Sequence, residues 1–108
     1  MNQEQFKQRR AELLTQEYAE PERWMYLSFA DETFHGAVVI KAHGLTDAIT
    51  RTHALNINPG GQVFGVDMPD DILASVPETN RQRLLSAEEI KAMWPDAKSI
   101  REHEEDEA

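Results

Sequence analysis

The sequence predicts an α+β fold, a small antiparallel three-stranded sheet laid out ββαβ in strand order 3-1-2, with a helix on one face and further helices towards the N- and C-terminal ends. Three observations carry this prediction. The stretches 24–30 (WMYLSFA) and 36–42 (GAVVIKA) are rich in apolar, aromatic and β-branched residues and are separated by Asp31-Glu32-Thr33, which has turn chemistry. After Gly44, apolar residues return at the spacing of a helix with one buried face. Pro59-Gly60-Gly61 then turns the chain into a third strand, 62–66 (QVFGV).

Taken in order, residues 1–20 are strong helix formers with no Gly and no Pro before Pro21, which predicts an N-terminal helix. Its apolar stripe, Phe6, Leu13, Leu14 and Tyr18, is thin, so it either docks lightly on the domain or meets a partner. In the first strand Met25, Leu27 and Phe29 share one face while Trp24, Tyr26, Ser28 and Ala30 share the other. In the second, Val38, Ile40 and Ala42 oppose Ala37, Val39 and Lys41. The first strand is apolar on both faces and belongs in the middle of the sheet.

Thr46 is placed to cap the following helix with its hydroxyl, and Asp47 suits the positive end of the helix dipole. Leu45, Ala48, Ile49, Thr52 and Leu55 are expected to face the sheet, leaving Asp47, Thr50, Arg51 and Ala54 outward, with His53 near the edge of the stripe. The core unit is 24–67. The stretch 67–77 (DMPDDILASVP) reads as a loop wrapping an edge, since Pro69 and Pro77 exclude a long element. Ser86 and Glu89 form a capping box that opens a C-terminal helix over 86–94, with Pro95 to stop it.

At 108 residues without cysteine, the chain fits one domain over 1–101, folded without covalent staples and suited to a reducing cytoplasm. The net charge of −9 is concentrated late in the sequence. Five acids, Glu102, Glu104, Glu105, Asp106 and Glu107, fall in an apolar-poor stretch, 102–108, expected to be a disordered, solvated tail. The rest is only mildly acidic, which argues against phosphate-neutralising contact with nucleic acid. No apolar run has the length of a membrane span or the form of a leader.

Several groups invite a chemical reading. The glycines Gly60 and Gly61 let backbone amides approach an anion, but this turn follows a helix and precedes a strand, the reverse of a phosphate loop. Arg81 and Arg83, beside Asn80 and Gln82, are donor-rich and, with Arg51 and Thr50, offer a place for an anionic small molecule such as a nucleotide. His35, His43, His53 and His103 are too dispersed for a metal motif, and Asp67, Asp70 and Asp71 read as turn carboxylates before they read as cation ligands. No nucleophile elbow or paired-carboxylate arrangement is present, so neither catalysis nor a cofactor or metal is expected.

The outer sheet face, Trp24, Tyr26 and Val39, is too apolar to stay wet, and its expected cover is the N-terminal helix or another protein. Trp24, Tyr26, Val39, Phe6 and Leu13 are therefore the candidate partner-binding residues, with Arg51, Gly60, Gly61, Arg81 and Arg83 as the alternative anion site. The residues WMYLSFAD, GAVVIKAHG, INPGG and RLLSAEEI, in that order, resemble a group of small bacteriophage and bacterial proteins without an assigned activity. That resemblance spans about residues 24–90 and implies a compact accessory protein which, in a phage setting, acts on a host component. The expectation is a non-enzymatic binding protein acting through protein contacts, with no nucleic-acid or membrane role, that self-associates as a homo-oligomer.

Overall fold

The computed structural model describes residues 3–95, with Phe6 described only as part of its helix. The acidic stretch 102–108 and His103 lie outside the described residues. In order the elements are α1 (Gln3–Tyr18), β1 (Arg23–Ala30), β2 (Phe34–Ala42), α2 (Leu45–Ala54), β3 (Gln62–Asp67), α3 (Asp70–Leu73), a 3-10 turn (Glu78–Asn80) and α4 (Ala87–Met93). The strands form one antiparallel sheet in the order β2-β1-β3, the expected arrangement.

Alternation along the strands assigns the two faces as the side chains predicted. Met25, Leu27, Phe29, Val38, Ile40 and Ala42 meet Ala48 of α2, with Ile49, Ile57, Val63 and Leu84 packed at the margin. Leu27, Phe29 and Ile40 have no exposed surface. Burying side chains of this size stabilises the fold by about 1.5–3 kcal/mol each.

The other face is covered from an unexpected direction. The chain's own residues after β3 lie on it, not α1. Met68 continues the ladder by donating its amide to the Trp24 carbonyl at 3.0 Å. The segment 67–77, expected to wrap an edge, instead forms α3 and crosses the face. Pro69 sits at the N-cap of α3 and Pro77 at that of the 3-10 turn, so each proline starts a short element where its missing N–H costs nothing. On the far side Leu85 pairs with Ala37 of β2, and Gln82 donates to the Val39 carbonyl at 2.7 Å. Val39, Met68, Val76 and Leu85 form a second core, closed by Trp24, Tyr26, Leu73, Ile90, Met93 and Trp94. This strap runs tight against the hairpin: a Cβ at Gly36, where φ is +143°, would lie 2.7 Å from Leu84 Cδ1. The capping box is formed, with Ser86 and Glu89 each accepting from the other's amide, and α4 ends before Pro95 as predicted.

α1 docks on α2, through polar groups. The Glu17 carboxylate accepts from the amides of Thr46 at 3.0 Å and Asp47 at 2.8 Å. The predicted Thr46 cap is therefore replaced: Gly44 is the N-cap, it makes no side-chain bond, and a carboxylate from another helix satisfies the first-turn amides. Arg10 donates to the Thr50 hydroxyl at 3.0 Å and the Tyr18 hydroxyl to Asp47 Oδ1 at 3.0 Å. The expected helix stripe shifts accordingly. Ala48 and Thr52 are buried, whereas Leu45 and Leu55 are substantially exposed and Asp47, expected outside, is 1% exposed.

Candidate interaction site

Backbone hydrogen bonding distinguishes the two edges of the sheet. Because Met68 donates to Trp24, residues 24 and 68 are a hydrogen-bonded pair, and in an antiparallel ladder such pairs alternate with non-bonded ones. With β1 paired to β3 as Tyr26 to Val66 and Ser28 to Phe64, the even-numbered residues of β3 bond to β1. Val63, Gly65 and Asp67 therefore turn their N–H and C=O groups away from the sheet.

The same parity at β2 turns Ala37, Val39 and Lys41 outward, and the carbonyl of each is met. Ala37 exchanges bonds with Leu85 at 3.0 and 2.8 Å, and the Val39 carbonyl receives Gln82 N–H. The Lys41 carbonyl receives Arg51 Nη1 at 2.8 Å. At β3 no described segment pairs along the outer edge. Its register with β1 is continuous, and it carries none of the lysines, prolines or bulges that commonly protect an edge.

Apolar groups flank this edge on both faces. Phe64 and Val66 are half-buried on the outer face, and on the inner face Leu45 covers the space above Gly65. A Cβ at Gly65 would approach Leu45 Cδ1 to 2.6 Å. Leu45 itself remains 39% exposed. Asp67 is the ionisable residue of the strand, and Arg23 Nε holds it at 2.7 Å while Arg23 Nη1 donates to the His43 carbonyl at 2.8 Å.

Of the residues predicted to bind a partner, Val39 is wholly buried beneath the strap, and Trp24 and Tyr26 are half-buried in the second core. Tyr26 meets Trp94 edge to face, with ring centroids 6.2 Å apart. The chain's own segment after β3, not α1, provides the cover this face was expected to need. Leu13 is exposed on α1, and the Phe6 side chain lies outside the described part.

The groups proposed for an anion are dispersed and already engaged. Arg51, on α2, bonds Glu22 at 2.8 Å and Asp47 at 3.1 Å. Arg81, on the opposite face, lies 5.1 Å over the Trp24 ring and donates to the carbonyls of Leu73 and Val76. Arg83 donates to Thr79 O and Asn80 Oδ1 and pairs with Glu89. The Gly60 amide donates to Asn58 Oδ1, and Gly61 packs by Ala30 and His35, at the other end of β1 from Arg51. His35 pairs with Asp31, and His43 bonds the Glu20 carbonyl and lies 4.7 Å from the Tyr18 ring. His53, Asp70 and Asp71 are exposed. Among the described residues no group of His and acidic side chains has the arrangement of a metal site.

Asp47 is the polar group that sequence reasoning placed on the wrong side. Its carboxylate receives the Tyr18 hydroxyl, the His43 amide at 2.9 Å and Arg51. Burial opposes the charged form, but these bonds outweigh it and hold the carboxyl below the usual range. The same interaction raises the Tyr18 hydroxyl, which donates its proton to that carboxylate. The arrangement ties α1, β2 and α2 together and leaves the carboxylate no room for a reactant.

The chain matches no protein-family model, no curated protein and no solved structure. No helix among the described residues is long and apolar enough to cross a membrane. The functional reading therefore rests on the chain's own geometry.

Proposed function

We propose that this protein is a non-enzymatic binding module that engages a protein partner by adding an extended segment to the outer edge of β3. The observation that carries the reading is the asymmetry of the sheet: at the β2 edge the chain bonds both outward groups of Ala37 and the carbonyls of Val39 and Lys41, while no described segment pairs with Val63, Gly65 and Asp67. Strand addition supplies main-chain hydrogen bonds for affinity and side-chain contacts on the two faces for selectivity. Here those contacts are Phe64 and Val66 on one face and Leu45 on the other. In a phage setting, which the sequence resemblance implies, that partner is a host component.

The test uses peptides selected from a random library on the immobilised full chain. V63P removes an outward N–H without touching the β1 ladder, a position of the kind where an edge strand tolerates proline. Selected peptides are expected to protect the Val63, Gly65 and Asp67 amides from exchange and to lose affinity for V63P. Peptides that bind V63P as tightly as the unmodified chain would refute the edge as the binding element.

A further inference from the structure

We infer that the segment received by the β3 edge is β3 of a second copy, giving a two-fold dimer with a continuous six-stranded sheet. This rests on the reading of β3 as a strand-accepting edge and adds the partner's identity.

Symmetry restricts the pairing. An antiparallel pair of identical strands has its two-fold axis perpendicular to the sheet, so each face continues into the same face of the second copy. Residues opposite one another must then share a face, which permits Gly65 opposite Gly65 or Phe64 opposite Phe64 but not Phe64 opposite Gly65. Only the outward groups of Val63, Gly65 and Asp67 are directed at the second strand. The register centred on Gly65 pairs all of them, placing Val63 opposite Asp67, Gly65 opposite itself, and Phe64 beside Val66. Centring on Phe64 pairs Val63 with Gly65 and leaves Asp67 without a partner residue in β3.

Side chains and charge agree with the glycine-centred register. Glycine on the axis makes room for Leu45, which already lies over Gly65 and is 39% exposed. The two-fold brings both Leu45 side chains over the same pair of glycines. On the outer face Phe64 and Val66 form two symmetric cross-strand contacts, in the closer, non-hydrogen-bonded type of pair. Each Asp67 is held by its own Arg23 and faces Val63, so the pairing sets no two carboxylates against one another. A second copy thus supplies a matching edge, apolar flanks and neutralised ends.

Sedimentation of the full chain across a concentration series tests this, with V63P and V66K as variants. Symmetry uses Val63 twice, so V63P removes two main-chain bonds and is expected to weaken the dimer about 50-fold. V66K keeps every N–H and places a charge against Phe64 of the second copy. It is expected to dissociate the dimer with an unchanged far-ultraviolet circular dichroism spectrum, which guards against misreading an unfolded proline variant. A chain that stays monomeric at all concentrations, with the Val63, Gly65 and Asp67 amides exchanging rapidly, overturns self-pairing while leaving the edge available to another protein's strand. A dimer that survives both substitutions with those amides still exchanging overturns self-pairing and the reading of the edge together.

Discussion

Replacing Asp47 should loosen the attachment of α1 and destabilise the whole domain, and the structure sets the size of the effect. The side chain is 1% exposed and accepts from the His43 amide, the Tyr18 hydroxyl and Arg51. A hydrogen bond to a charged group contributes about 1.5–3 kcal/mol. The part-buried His43 amide loses its acceptor inside the fold, whereas the more exposed Tyr18 reaches water and recovers part of its loss. D47A is therefore expected to cost about 3–4 kcal/mol and D47N, which keeps an acceptor oxygen but loses the charge, about 2 kcal/mol. Urea unfolding followed by the fluorescence of Trp24 and Trp94 measures both. The pH dependence gives an independent sign. Since the folded carboxyl titrates below its unfolded value of about 3.9, its contribution is complete above that value and disappears as pH falls through the lower, folded one. The gap between wild type and D47N should thus shrink on acidification below about pH 4. Equal stabilities at pH 7, or a gap that grows in acid, would refute the role given to this carboxylate.

Three further outcomes follow from the packing. E17A should cost about 1 kcal/mol in urea unfolding, since it removes the acceptor for the Thr46 and Asp47 amides at the start of α2; an unchanged midpoint would mean water caps the helix equally well. L85A should cost about 3 kcal/mol, because Leu85 is fully buried in the second core, and its midpoint loss should exceed that of I72A, whose parent side chain is 42% exposed. G61A should lower the melting temperature more than G60A. Both positions have φ of +87°, but only at Gly61 would the added carbon meet a neighbour, His35 Cδ2 at 2.8 Å.

The parts legible in the sequence are those set by local periodicity. Alternation in WMYLSFA and GAVVIKA assigned every side chain of the hairpin to its face, and apolarity on both sides of β1 placed it in the middle. The Ser86 and Glu89 box was legible because a capping pair needs only a three-residue separation. What escaped depends on residues far apart in the chain. Asp47 looks outward on a helical wheel, and its burial follows from Tyr18, 29 positions away. Glu17 carries no apolar signal, yet it caps α2 across a similar distance. The strap over Trp24 and Val39 is built of short pieces, α3 and the 3-10 turn, too brief for any periodicity to show. Strand order alone made β3 an edge, but the prominence of the aromatic outer face drew attention there instead. Once the strap covers that face, the place where the chain ends its own pairing becomes the candidate site.

Amide-resolved hydrogen exchange on the full chain, at dilution where it is monomeric, tests that claim most directly. The Ala37 and Leu85 amides, bonded to each other's carbonyls, should exchange slowly, and the Val63, Gly65 and Asp67 amides should exchange rapidly until a strand is added. Equal protection of both sets in the dilute monomer would show that the chain covers the β3 edge itself, and would contradict the account.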